Sequence, residues 1–103
     1  MNSAAGRAAE AQAASDLVAA GNKILGSQVS VRTSEGRRVI DHLIETAEGK
    51  IVACEVKCGN ATRNTGQIAQ DAAMAKEGAT LVGKNAGELK GKKLEIETIE
   101  LRY

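Results

Sequence analysis

Phenylalanine, tryptophan and proline are absent from the 103-residue chain, and Tyr103 is its only aromatic residue. The core must therefore be filled by Val, Ile, Leu and Ala, and no proline interrupts a helix or strand. Charge imbalance is missing too: 14 basic against 13 acidic residues leave a net +1. That excludes a global electrostatic drive toward nucleic acid or an anionic membrane, so such binding needs a local basic patch. No run approaches the ~18 apolar residues of a membrane span, and no membrane partner is expected. The Ala-rich start lacks the apolar centre of a signal peptide, so export is not expected to be encoded here. Cysteine is limited to Cys54 and Cys58. On a continuous strand these lie roughly 13 Å apart at ~3.3 Å per residue, beyond the ~7 Å limit for a disulfide. Without a second Cys/His pair they also make a poor zinc site.

What is present suits one small α/β domain over residues 1–103. Residues 4–20 form an Ala-rich helix stopped by Gly21. Its apolar stripe runs Ala13, Ala14, Leu17, Val18, and one turn earlier reaches Glu10, an acid on the face meeting the sheet. "QVSVRT" (28–33) alternates as a strand, and "SEGR" is a turn. "RVIDHLIET" (38–46) and "KIVACEVK" (50–57) are the second and third strands. The "AEG" loop between them ends in Gly49, the pattern of a type I turn closed by a left-handed glycine. That loop pairs Thr46 with Lys50, Ile44 with Val52, His42 with Cys54 and Asp41 with Glu55. A two-residue turn would move Asp41 to the face opposite Glu55.

A second helix lies within 60–78, with Thr62, Asn64 or Thr65 as cap and Gly78 as stop. "ATLVG" (79–83) is a buried strand, and 84–93 a lysine-rich loop or short helix. Residues 94–103 are a last strand whose alternation slips near Thr98, as at a bulge. The order is α-β-β-β-α-β plus a final strand, a mixed sheet flanked by helices.

Within this frame Asp41 and Glu55 oppose each other across a strand pair. Opposed like charges destabilise, so a proton, a cation or a metal must compensate. Hard divalent cations take oxygen ligands, and converging carboxylates are their usual anchor. Lys57 shares a face with Glu55 and adds a fixed positive charge. That combination suits phosphodiester hydrolysis with Asp41, Glu55 and the Val56 carbonyl as metal ligands. The alternative is a charged sheet face. Acid-x-Lys occurs three times, at Glu48, Glu55 and Glu88, but only Glu55–Lys57 follows an apolar strand.

Helix, three-strand meander with D…[DE]-x-K, helix and strand resembles the PD-(D/E)XK nuclease superfamily, with its restriction-endonuclease-like core. Here the motif is Ile40-Asp41, then 13 residues, then Glu55-Val56-Lys57. Ile40 replaces the proline of the family's pattern. The resemblance spans residues 4–83. It implies a metal-dependent endonuclease using Mg²⁺, Mn²⁺ or Zn²⁺, with Glu10 as a further acid and Gln67 beside the lysine. Either residue also reads as an ordinary helix-surface side chain. "RRVIDHLIET…EVKCGN" and "QIAQDAAMAKEGATLVG" look like C-terminal modules of polymorphic or contact-dependent growth inhibition toxins. That likeness implies release from a larger secreted or surface toxin, action on DNA or tRNA in the target-cell cytoplasm, and a cognate immunity protein. A non-catalytic interaction module and a housekeeping junction or repair nuclease are the alternatives. His42 reads as a core histidine, Glu45 as solvent-facing, and Arg63 as a solvated arginine or a phosphate contact. Lys84, Lys90, Lys92 and Lys93 are the local basic cluster.

Overall fold

The computed structural model describes residues 4–103. Two helices and six strands follow in order: α1 (Ala4–Ala19), β1 (Lys23–Thr33), β2 (Gly36–Glu45), β3 (Ile51–Lys57), α2 (Thr65–Glu77), β4 (Ala79–Leu81), β5 (Lys93–Leu94) and β6 (Glu97–Arg102). A 3-10 segment, Lys84–Leu89, joins β4 to β5. The result is an α/β fold with a mixed six-stranded sheet. Its strand order is β5-β4-β1-β2-β3-β6, antiparallel throughout except for the parallel β3–β6 pair. No described helix is long and apolar enough to cross a membrane.

The β2–β3 hairpin has the three-residue loop expected. Thr46 N–H donates to Lys50 C=O, Gly49 has φ +85°, and the ladder pairs Ile44 with Val52 and His42 with Cys54. The stripe of α1 differs from expectation. Ala9, Ala13 and Leu17 are buried, whereas Val18 is 57% exposed. Small side chains let α1 lie close on Val56, while Leu17 meets Ile44, Val52 and Cys54.

The last strand also differs. It has no bulge near Thr98; β6 pairs one-to-one with β3 from Glu97 to Arg102. The slip comes instead from Glu95 and Ile96, which carry the chain from one sheet edge to the other. In a flat six-stranded sheet those edges would lie ~24 Å apart, at ~4.8 Å per strand. Three Cα steps reach only ~11 Å, so the sheet must curl. In the fold's main apolar cluster Ile96 is fully buried with Met74 of α2, and its N–H donates to the Met74 carbonyl.

Candidate active site

The site begins where β1 and β2 change face. Along most of each strand, core residues recur every second position. Between Gly26 and Val29, and between their partners Leu43 and Ile40, the step is three. Gln28 stands in that step with φ +51°, a left-handed conformation that costs a non-glycine residue about 1–2 kcal/mol. Its side-chain amide donates to Glu10 Oε1 and, at 3.5 Å, to Asp41 Oδ1. Strain at this point places a donor that bridges α1 and β2 carboxylates.

The expected pairing of Asp41 with Glu55 is not part of the ladder: β2–β3 pairing ends after His42–Cys54, and Asp41 lies beside Gln28. The Val56 N–H donates to Asp41 Oδ2 at 2.8 Å instead of to backbone. An extended residue sends its N–H and C=O to the same edge, so the Val56 carbonyl faces the same gap. A pocket of about 370 Å³ opens here, lined by Asp41, Glu55, Val56, Lys57 and Gln67 among others.

Glu55 is buried and doubly paired. Arg38 Nη2 lies 2.7 Å from Oε2, and Lys57 Nζ 3.4 Å from Oε1. Burial, then Asp41, still pushes its carboxyl above the ordinary range, and Arg38 and Lys57 only partly offset them. Glu10 is raised as well, by burial and then by Asp41. Burial, then Asp41, pushes the Cys54 thiol up to about 11, so it stays protonated.

The expected residues therefore meet unevenly. Asp41, Glu55, Val56, Lys57 and Gln67 line one pocket, and Glu10 reaches it through Gln28. Gln67 has a further task. Its Oε1 accepts from Asn64 N–H while Asn64 Oδ1 accepts from Gln67 N–H, a capping box that fixes Asn64 as the α2 cap. His42 is buried, as expected. Its Nε2 lies 2.8 Å from the Glu10 carbonyl, which can only accept, so Nε2 carries hydrogen; Nδ1 pairs with Ser27 Oγ at 2.7 Å. This contact pins the α1 turn that presents Glu10. Glu45 is half-buried rather than fully solvent-facing. Arg63 is partly exposed but not free, being paired with Asp71 and Glu100.

Three residues of the site were not expected: Gln28, Arg38 and Asp71. Arg38 is in phase with Ile40, which points it inward. Asp71 is four residues after Gln67 and shares its helix face. No sequence signal marks Gln28, because glutamine has no preference for the left-handed region.

Replacing one acid tests the electrostatics. Asp41→Asn keeps an oxygen for the Val56 N–H and removes the charge that raises both Glu10 and Glu55. Stability should rise by about 1 kcal/mol, roughly 4–8 °C in Tm for a domain this size. Folded carboxyls raised above their unfolded value cost stability while ionised, and that cost is relieved as pH falls through the folded pKa. The gain over wild type should thus be largest at neutral pH and shrink on acidification in a melting series. A variant that melts lower than wild type at pH 7 would make Asp41 a structural acid.

Comparison with protein-family models, with curated proteins and with solved structures gives no match for this chain.

Proposed function

We propose that the protein is a metal-dependent endonuclease with a restriction-endonuclease-like core, cleaving phosphodiester bonds in DNA or tRNA. One observation carries this reading: Asp41, Glu55 and Lys57 line a single pocket, with Lys57 held against Glu55. The order helix, three-strand meander, helix, strand supports it.

The donor chemistry fits a hard divalent cation. Asp41, Glu55 and the Val56 carbonyl offer oxygens at one gap, and Glu10 is linked to it only through the Gln28 bridge. Burial, then Asp41, raises both glutamates. Among the described residues, no three His, Cys, Asp or Glu side chains close around one point. Binding therefore requires Glu55 Oε1 to turn from Lys57 while Oε2 stays on Arg38. When bound, such a cation lowers the pKa of a water and neutralises the scissile phosphate. Lys57 then presents a fixed charge toward that phosphate, and Arg38 holds Glu55 Oε2 so that Oε1 faces the pocket. The Gln67 amide nitrogen is left by the capping box to orient water or substrate.

A second reading has its own observation. Arg38 already neutralises Glu55, as it would in a non-catalytic interaction module on this fold. Incubation with plasmid DNA and total RNA, with and without Mg²⁺, Mn²⁺ or Zn²⁺, separates the two. Cleavage that needs metal and disappears in an Asp41→Ala, Glu55→Ala double variant is expected. Intact nucleic acid under every condition would favour the module.

The resemblance to toxin modules supports a role as an interbacterial effector. In that role the domain would be released from a larger secreted or surface protein and act in the target-cell cytoplasm, with a cognate immunity protein neutralising it. Expression from a tight promoter should arrest growth, and Lys57→Ala should not. Normal growth on wild-type expression would overturn the effector role.

A further inference from the structure

Outside the pocket, one line of side chains has no counter-charge. Arg32 of β1 pairs with Arg37 of β2 on one side and with Thr80 of β4 on the other, and Thr80 pairs with Lys93 of β5. Directly paired residues share a sheet face. Arg37, Arg32, Thr80 and Lys93 therefore form one straight row across four strands. The three cations are exposed, and none makes an ion pair among the described residues. By contrast, Arg38, Arg63 and Arg102 each have a carboxylate partner. Like charges set directly opposite one another on paired strands destabilise a sheet. Here two arginines oppose each other and a lysine follows, with no acid in the row.

The row also has direction. Arg37 Nη2 donates to Ser30 Oγ at 2.9 Å, which holds that guanidinium against β1. Ser30 pairs with Val39 in the next row on the same face. Val39, 38% exposed, lines the pocket that contains Asp41 and Lys57. From Arg37 to Asp41 is four residues, or ~13 Å at ~3.3 Å each. From Arg37 to Lys93 is three strand spacings, ~14 Å. Helix α1 covers the far end of this face, over Ile44, Val52 and Val56, and leaves the row open.

We propose that Arg37, Arg32 and Lys93 form a docking row for the phosphate backbone of the nucleic-acid substrate, leading over Val39 into the pocket. This rests on the nuclease reading. Phosphates of one duplex strand recur every ~3.4 Å along the helix axis, so a backbone crossing the row meets all three cations within a few nucleotides. An overall charge near zero leaves affinity to such a local patch. The row carries no sequence information, because phosphate contacts position a substrate without reading bases.

Binding and cleavage are separated by working in a Lys57→Ala background. A labelled DNA duplex and a tRNA are titrated by fluorescence anisotropy over a salt series. Arg32→Thr, Arg37→Thr and Lys93→Thr are introduced together, keeping strand propensity. Affinity should fall at least about tenfold near 0.1 M salt for both ligands. The slope of log K against log salt should become shallower by about 2–3, near 0.9 per lost contact on DNA. Arg32→Thr alone should give about one third of that change, which keeps the test available if the triple variant folds poorly. Lys84→Ala with Lys90→Ala, outside the row, should leave the slope unchanged. An equal fall from that control, or an unchanged slope in the row variants, overturns the row while wild-type cleavage still upholds the nuclease. Displacement of duplex by poly-L-glutamate at equal charge would assign the row to an acidic protein and overturn the proposal. If wild type cuts neither DNA nor RNA with any metal, the nuclease reading fails and takes the row with it.

Discussion

Lys57→Ala is expected to cut nucleic acid about 10²–10³-fold more slowly than wild type, or about 3–4 kcal/mol in barrier, while still binding it. Its fold should survive. Lys57 contacts Glu55 Oε1 at 3.4 Å, but Glu55 Oε2 keeps the shorter 2.7 Å bond to Arg38. Losing the lysine therefore leaves no unpaired buried acid. Binding of Mn²⁺ should persist because Asp41, Glu55 and the Val56 carbonyl are intact. What disappears is a compact charge fixed at the pocket wall, which in the proposed hydrolysis would stabilise the charge building up on the attacked phosphate. Lys57→Arg should not restore full activity, since a planar guanidinium cannot copy a point charge on a flexible stem. Single-turnover rates with saturating metal, beside calorimetry with Mn²⁺, separate the two effects. Wild-type cleavage by Lys57→Ala would mean that the Glu55–Lys57 pair is only a charged strand, and the reaction would have to be assigned to other residues.

The parts of the fold and site governed by local rules were legible in the sequence. A left-handed Gly49 after two loop residues set the β2–β3 register, and with it the approach of Asp41 to the end of β3. Period-two alternation put Glu55 and Lys57 on one face. The cap of α2 was legible only as three candidates. Asn64 wins because Gln67, three residues on, completes the reciprocal bonds, so the glutamine read for the pocket also holds the helix start. Features that depend on distant partners were not legible. β1 begins at Lys23, five residues before the alternating stretch, because a shift between Ile24 and Gly26 hides its period. Residues 95–96 break the last strand because the curled sheet brings its two edges together, and a local period cannot carry that information. The step at Gln28 depends on strain imposed by neighbours. Arg38 and Asp71 are 33 positions apart and meet only once α2 lies in the curl.

That buried meeting carries the largest expected effect on stability. Arg38 is 7% exposed and joins two acids: Nη2 to Glu55 at 2.7 Å and Nε to Asp71 at 3.0 Å. Burial pulls its pKa down, but Asp71 and Glu55 more than reverse this and hold the guanidinium charged. Removing one member of a buried ion-pair set typically costs 3–5 kcal/mol, because the remaining charges lose their compensation. Arg38→Ala should lie near the lower figure. Glu55 would still have Lys57, and Asp71 would still have Arg63 at 3.0 Å. A loss of ~3 kcal/mol corresponds to a Tm fall of roughly 12–24 °C. Arg38→Met, which keeps most of the volume, should recover only the packing share. Arg38→Lys should also fall short, since one ammonium cannot make two divergent bonds. The decisive variant removes all three charges: Arg38→Met with Glu55→Leu and Asp71→Leu. If compensation among buried charges is the cause, this triple variant melts above Arg38→Ala despite two further substitutions. A triple variant no more stable than the single would mean that Arg38 stabilises by packing alone, and that Glu55 is positioned by β3 and Lys57 without it.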